Sequence, residues 1–122
     1  MLEKNKKRIY KLLIHIELKG VGGHSSKPYL TKNPIIAGFE IVHIIFNRVW
    51  WSFSQFENVV VIPVNADFGT KQNIIPEEGI IEFRAEYSES IHKEKLKKIF
   101  SETLQAINSA YGVSSFLKII DL

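Results

Sequence analysis

The sequence predicts an α+β fold in which two helices pack on one face of a four-stranded antiparallel sheet. Segments with an apolar residue at every second position, which is typical of half-buried strands, occur together with two segments of helical periodicity. Their order along the chain is β-α-β-β-α-β, the order of the ferredoxin-like sandwich. No long linker divides the 122 residues, so they are predicted to form one domain.

The first half of the pattern is a strand, a loop and a helix. Residues 9–18 alternate between apolar and polar side chains, which indicates a strand, and residues 19–33 are rich in glycine, serine and proline, which indicates a loop. A helix should begin at Asn33-Pro34, because asparagine caps free amides and proline suits the first helical position. It is predicted to run to about Trp51. The apolar residues that recur at helical spacing are Ile35, Phe39, Val42, Phe46 and Val49.

The second half supplies two strands, a helix and a last strand. Residues 58–68 are rich in β-branched side chains, and Pro63 cannot donate to a ladder, so this strand is predicted at an edge or with a bulge. A polar loop is expected over residues 69–78, and residues 79–87 alternate again. The second helix should run from about Ser90 to a stop at Gly112, followed by a short strand over residues 116–120.

Composition excludes several classes of function. The chain has no cysteine, which rules out disulfides, thiolate metal sites and cysteine nucleophiles, and a cytoplasmic location is expected. Neither a signal peptide nor a membrane-spanning segment is predicted. The net charge of +3 is small, and nucleic-acid binding is not expected. One basic cluster is predicted to be a solvated lead-in to the first strand: Lys4, Lys6, Lys7 and Arg8.

Two segments are more specific than the fold. One is Gly20-Val-Gly-Gly-His-Ser-Ser-Lys-Pro28, ahead of the first helix, and the other is Phe68-Gly-Thr-Lys-Gln-Asn-Ile-Ile-Pro-Glu-Glu78, ahead of the third strand. In this order the pair resembles the dimerisation (lid) domain of the zinc aminoacylase/carboxypeptidase family, which includes N-acyl-amino-acid amidohydrolases. The resemblance covers nearly the whole chain.

That resemblance implies a parent hydrolase of two domains, of which residues 1–122 are the lid. The parent would cleave the amide bond of N-acyl amino acids or small peptides with two zinc ions held by a separate, larger domain. The lid itself would hold no cofactor and would be inactive alone. Its four histidines are dispersed and include no HExxH-like pair. Glu77 and Glu78 are predicted to lie in a solvated turn, because adjacent residues of an extended segment point to opposite sides.

The resemblance also implies roles for individual residues. His24 would enter the active site of the partner subunit and stabilise negative charge on the scissile carbonyl oxygen. Gly22 and Gly23 fit a close approach of the backbone, and Gly23 would lie beside the substrate. Asn73 would bind the substrate, often at its carboxylate end, although an asparagine there could simply support the turn.

A departure from the family pattern concerns the strand after this turn. Many members carry an arginine there that pairs with the substrate carboxylate, but the corresponding position holds Glu86. Arg84 lies two residues earlier on the same face of the strand. Arg84 is therefore predicted either to bind the substrate or to form a surface ion pair with Glu82 or Glu86.

The family pairs its lids through the first helix and the neighbouring edge strand, so a two-fold symmetric homodimer through that helix and residues 58–68 is expected. His43 would be packed or face the partner, whereas His15 and His92 would be ordinary polar-face residues. One aromatic cluster is either a core plug or an interface: Trp50, Trp51, Phe53 and Phe56. The alternative function is a stand-alone dimerising or ligand-sensing module without catalysis.

Overall fold

The computed structural model of the protein describes residues 8–69 and 71–122. Lys4, Lys6 and Lys7 of the basic cluster lie outside the described residues. The elements, in chain order, are β1 (Tyr10–Lys19), β2 (Gly23–His24), a 3-10 helix (Pro28–Leu30), α1 (Pro34–Ser52), β3 (Val59–Asp67), β4 (Ile74–Ile75), β5 (Glu78–Tyr87), α2 (Ser90–Tyr111) and β6 (Ser114–Asp121). In the described part of the chain neither helix is long and apolar enough to cross a membrane.

The main sheet is antiparallel and has the order β3-β5-β1-β6, which confirms the predicted fold class. Alternate residues of β1 and β5 point to the side that the helices cover, and they form the centre of the core. Phe83 meets Phe100 of α2 edge to face, with ring centroids 5.1 Å apart. Helix α1 contacts β3, and α2 contacts β6. Thus α1 lies beside the edge strand β3.

The signals for the ends of the two helices are confirmed. Asn33 Oδ1 accepts a hydrogen bond of 3.0 Å from the backbone N–H of Ile35, and Pro34 occupies the first turn. Gly112 ends α2 with φ of 68°, and its N–H donates to the Asn108 carbonyl. Local chemistry therefore fixes both helix boundaries.

The edge strand β3 carries both features that Pro63 predicts. It is an outer strand of the sheet, and its register against β5 shifts between Pro63 and Asn65. A proline has no N–H to donate, so a position at an edge or at a bulge costs no ladder hydrogen bond. One side of β3 is left without a neighbouring strand in the described structure.

Helix α1 is apolar on two opposite sides. Its buried residues are mostly small or aliphatic, and they are Pro34, Ala37, Gly38, Ile41 and Ile45. Two residues of the stripe identified in the sequence, Phe39 and Phe46, are instead 71% and 70% exposed. That stripe therefore contributes to an outer apolar face as well as to the core side. A core-plug role is wrong for most of the aromatic cluster, since only Phe53 packs against the core while three rings are exposed: Trp50, Trp51 and Phe56.

The prediction that His92 is an ordinary polar-face residue is wrong. This side chain is 4% exposed, and its Nε2 donates to Glu57 Oε2 at 3.1 Å. Phe53 packs edge-on against the imidazole. The backbone N–H of Ser54, and then His92, hold the pKa of Glu57 below its ordinary value. The pair ties the connector after α1 to the first turn of α2.

The face of the sheet away from the helices carries a row of polar contacts. His15 Nδ1 donates to Glu82 Oε2 at 2.9 Å, and Asn65 Nδ2 donates to Glu82 Oε1 at 3.0 Å. His15 Nε2 also lies 3.3 Å from a carboxylate oxygen of Glu17. The Glu82 contact raises the pKa of His15, while Asn65 and then His15 lower the pKa of Glu82. His15 is thus a member of an ion-pair network rather than an isolated polar residue.

This network makes the stability of the domain depend on pH. Because folding raises the pKa of His15, this residue stabilises the domain at pH values below its ordinary pKa of 6.5. That stabilisation is lost as the pH rises through the pKa of the folded state. The lowered pKa of Glu82 adds stability above its ordinary value of 4.5. Substituting His15→Gln should therefore lower the melting temperature more at pH 5.5 than at pH 8.5, by about 2–5 °C. Thermal unfolding followed by circular dichroism measures this, with His24→Gln as a control that should show no such difference.

Candidate functional site

The two sequence motifs meet in a small antiparallel ribbon. In this ribbon of β2 and β4, His24 lies opposite Ile74 and Gly23 lies opposite Ile75. The backbone N–H of Ser25 donates to the Asn73 carbonyl at 3.1 Å. The structure therefore brings the neighbourhoods of His24 and Asn73 together, although the two residues are far apart in the sequence.

Close backbone packing explains the glycines of the first motif. A side-chain carbon on Gly22 would lie 2.6 Å from the Ile75 carbonyl oxygen, which is too close for any other residue. At Gly23 the same atom would meet the Thr31 methyl group at 3.0 Å. Neither glycine has a positive φ. Close approach, rather than a left-handed backbone, is thus the reason for glycine at Gly22.

His24 is exposed and oriented by its own loop. Its Nδ1 accepts a hydrogen bond of 3.1 Å from the backbone N–H of Ser26, and the Ser26 hydroxyl lies 2.7 Å from the same nitrogen. A ring nitrogen that accepts from an amide carries no proton, so the proton of the neutral imidazole is on Nε2. The loop therefore presents Nε2–H as an exposed hydrogen-bond donor.

Asn73 supports the turn through its main chain. Its carbonyl oxygen accepts the Ser25 bond, and its side chain is exposed. Within the described residues the carboxamide makes no hydrogen bond. The alternative in which the side chain of Asn73 holds the turn is therefore not what the structure shows. The carboxamide is free to meet another molecule.

Arg84 is remote from this ribbon in the same subunit. It lies on β5 opposite Leu13 and Ile62, six residues along the strand from Glu78, which corresponds to about 20 Å. Glu82 bonds to His15 and Asn65 instead of Arg84, and the described residues show no ion pair of Arg84. The ion-pair interpretation of Arg84 is therefore wrong for the isolated domain. Glu86, at the place of the family arginine, is 7% exposed.

The ribbon lies at one end of the sheet, and the start of β1 and the end of β6 lie at the other. Strand β1 begins at Tyr10 beside the end of β6, where the N–H of Leu122 donates to the Lys11 carbonyl. The ten residues of β1 then lead, over about 30 Å, to the loop that contains His24. The loop with His24 therefore lies at the opposite end of the sheet from Tyr10 and Leu122.

The described residues do not fit a metal ion. They include no group of three or more His, Asp or Glu side chains placed to hold one. Glu77 and Glu78 are both exposed, as predicted, but Glu78 is the first residue of β5 and pairs with Lys19 instead of lying in a turn. The zinc ions that the resemblance implies therefore have no site in the described part of this chain.

A second surface feature is an apolar groove between α1 and the edge strand β3. Its volume is about 670 Å³. Side chains of α1, β3 and β5 line it, including Phe39, Phe46, Pro63 and Phe68. His43 is the one titratable residue among those that line this groove. Exposed apolar surface of this extent, next to an unpaired strand edge, is typical of a protein interface.

Comparison with known proteins gives a consistent match. The model of the family described as peptidase dimerisation domain matches residues 11–112. The chain is 24% identical over 112 residues to thermostable carboxypeptidase 2 of Saccharolobus solfataricus, covering 92% of this chain and 28% of that protein. It is 26% identical over 99 residues to N-acetyldiaminopimelate deacetylase of Bacillus licheniformis, covering 81% and 26%.

The fold match is also close. The crystal structure of an aminohydrolase from methicillin-resistant Staphylococcus aureus superposes with a TM-score of 0.89 at 24% identity, covering 94% of this chain and 31% of that one. This likeness shows the fold. The chain spans little more than a quarter of the length of these two curated relatives, 28% and 26%.

Proposed function

Because this chain belongs to the peptidase dimerisation domain family, we propose that it is the lid of a zinc-dependent amidohydrolase or peptidase. The enzyme would cleave the amide bond of N-acyl amino acids or small peptides. The observation that supports the proposal is the ribbon, which joins the backbone of the loop with the exposed His24 Nε2–H to the backbone of Asn73, whose side chain is also exposed. Two relatives named as a carboxypeptidase and an N-acetyl deacetylase support this substrate class.

His24 would act as a hydrogen-bond donor to the scissile carbonyl oxygen. Negative charge develops on this atom in the transition state, and a donor held in place beforehand lowers the barrier. The bonds that Ser26 makes to Nδ1 orient the ring without occupying Nε2. Asn73 would hold the substrate beside this donor, with Gly23 in the adjacent backbone.

His24 would act in the active site of the partner subunit. The ribbon is about 30 Å along β1 from the ends of the domain, so it extends away from any domain attached there. A second subunit related by a two-fold axis would meet it instead. Arg84 is the remaining candidate for the substrate carboxylate, and it lies far from His24 in its own subunit.

The dimer would form through the groove of α1 and β3. Membership of a dimerisation-domain family implies self-association, and this groove combines exposed aromatic side chains with a free strand edge. The opposite face of the sheet carries the polar row of His15, Glu82 and Asn65, which favours water. Pairing of β3 with its copy would continue the sheet across the two-fold axis.

The proposal that zinc and catalysis belong to another domain of the enzyme is testable with two preparations. The purified 122-residue chain should bind no zinc tightly and should not hydrolyse N-acetyl amino acids, while the full-length enzyme containing it should do both. Hydrolysis is followed by release of the free amino group, and zinc by metal analysis after gel filtration. Hydrolysis by the short chain alone would contradict the assignment. Inactivity of the full-length protein towards every N-acyl amino acid and small peptide tested would favour a stand-alone module.

A further inference from the structure

We propose that Ile74 is a specificity-determining residue, which binds the acyl group of the substrate beside His24 and favours acyl groups that are apolar and longer than acetyl. The inference rests on the proposed function, in which His24 donates to the scissile carbonyl oxygen. The observation that motivates it is that Ile74 lies directly opposite His24 in the ribbon and is 40% exposed.

The register of the ribbon puts the side chains of His24 and Ile74 on the same face. Strands β2 and β4 are antiparallel, and these two residues are partners across them. Side chains of directly opposite residues in an antiparallel pair share one face, with Cβ atoms about 4.5–5.5 Å apart. A group that accepts a hydrogen bond from the His24 Nε2–H therefore lies within reach of the isoleucine side chain.

The other face of the ribbon is covered by the domain itself. Gly23 belongs to that face, because successive residues of a strand alternate. A side-chain carbon on Gly23 would meet the Thr31 methyl group at 3.0 Å. Thr31 is held in place because its N–H and its hydroxyl both donate to the Pro28 carbonyl, at 3.0 and 2.7 Å. The face with His24 and Ile74, whose side chains are both exposed, is thus the one that another molecule can reach.

The connectivity of an amide indicates which part of the substrate meets Ile74. The scissile carbonyl carbon carries an oxygen, the amide nitrogen and the acyl chain. The oxygen is proposed to bind His24, and the nitrogen leads to the amino acid, whose carboxylate end is proposed to bind Asn73. The acyl chain is the remaining substituent. An aliphatic side chain suits hydrocarbon, because contact removes the apolar surface of both from water.

This contact should make the rate depend on the length of the acyl chain. A methylene group that is about half covered should raise kcat/KM by about two-fold, since its burial persists in the transition state. From N-acetyl to N-hexanoyl, a gain of four methylene groups, kcat/KM should rise by about ten- to twenty-fold. Substituting Ile74→Ala should lower kcat/KM by about five- to ten-fold for N-hexanoyl and by less than about two-fold for N-acetyl.

The test is steady-state kinetics of the full-length enzyme on the N-acetyl, N-butanoyl and N-hexanoyl derivatives of one amino acid. Ile74→Val keeps a branched aliphatic side chain and should retain most of the dependence on chain length. Ile91→Ala is the matched control, because Ile91 is 69% exposed but lies in the first turn of α2, at the opposite end of the sheet from the ribbon. It should match wild type on all three substrates. Circular dichroism checks that each variant is folded.

The outcomes separate this inference from the proposed function. If Ile74→Ala lowered kcat/KM equally for all three substrates, Ile74 would shape the loop or contact protein rather than the acyl group, and the inference would be overturned. A wild-type enzyme whose kcat/KM does not rise with chain length would also overturn it, while leaving the role of His24 standing. A full-length protein that hydrolyses none of the three substrates would instead contradict the proposed function, and this inference with it.

Discussion

Replacing His24 by alanine in the full-length enzyme is expected to lower kcat by about 10²–10³-fold, with a small change in KM. The exposed Nε2–H is a donor that would act mainly on charge present in the transition state, so its loss affects kcat more than binding. The dimer should persist in His24→Ala, since His24 does not line the groove of α1 and β3. Steady-state kinetics on an N-acetyl amino acid measure kcat and KM, and sedimentation of the same sample measures the oligomeric state.

Lys27→Ala is the matched control for this loop. Lys27 is exposed, and its backbone N–H donates a hydrogen bond to the His24 carbonyl three residues earlier, which alanine keeps. Its kcat should stay within about two-fold of wild type, in the range of ordinary surface substitutions. A His24→Ala enzyme with near-normal kcat would show that His24 is only an exposed loop residue.

Replacing Phe46 by glutamate is expected to convert the dimer into a monomer. Phe46 is 70% exposed in the single chain and lines the groove, so both copies would be buried by association. Losing about 1.5–3 kcal/mol of apolar burial at two symmetric positions, and burying charge instead, should raise the Kd by at least about 100-fold. Sedimentation equilibrium at neutral pH measures the change.

Phe56→Glu provides the comparison for that experiment. Phe56 is 86% exposed but lies in the connector after α1 and does not line the groove. The Phe56→Glu protein should remain dimeric, and both variants should keep the wild-type circular dichroism spectrum because neither aromatic ring is in the core. A Phe46→Glu protein that associates as tightly as wild type would place the interface elsewhere.

Local signals in the sequence predicted much of the architecture. The alternation of β1 and β5, the Asn33 cap and the Gly112 stop depend on neighbouring residues alone, and the structure confirms each of them. Pro63 identified an edge strand because a missing N–H restricts position within any sheet. These features needed no knowledge of which strands pair.

Tertiary contacts account for what the sequence did not predict. Glu57 pairs with His92 of α2, and Glu82 of β5 pairs with His15 of β1. The partners are far apart in the sequence, and hydrophobic periodicity, whether of 2 residues or of 3.6, does not predict such pairs. In α1, the large apolar residues at helical spacing define one stripe in the sequence. The small residues Ala37 and Gly38 allow the opposite side of the helix to pack closely against the core. Small buried residues give a weak hydrophobic signal, so the outward orientation of Phe39 and Phe46 became visible only in the fold.

For the candidate site, too, the sequence predicted one part and the fold supplied the rest. The two motifs predicted that His24 and Asn73 act together, and the ribbon does bring their backbones together. The tautomer that exposes Nε2–H depends on the bond from the Ser26 N–H, which requires the loop geometry. Whether Arg84 replaces the family arginine depends on the partner subunit, because Arg84 and His24 are separated within one chain.

Mixed dimers test the central claim, that His24 serves the active site of its partner, most directly. A full-length His24→Ala subunit is combined with a full-length subunit that keeps His24 but has lost one zinc ligand of its catalytic domain. Each homodimer should be inactive or nearly so. If His24 acts across the interface, mixing should restore one working site per mixed dimer, and activity should approach about a quarter of wild type at equal amounts, since half of the dimers are mixed. Activity of the mixture no greater than the average of the two parent homodimers would contradict the account.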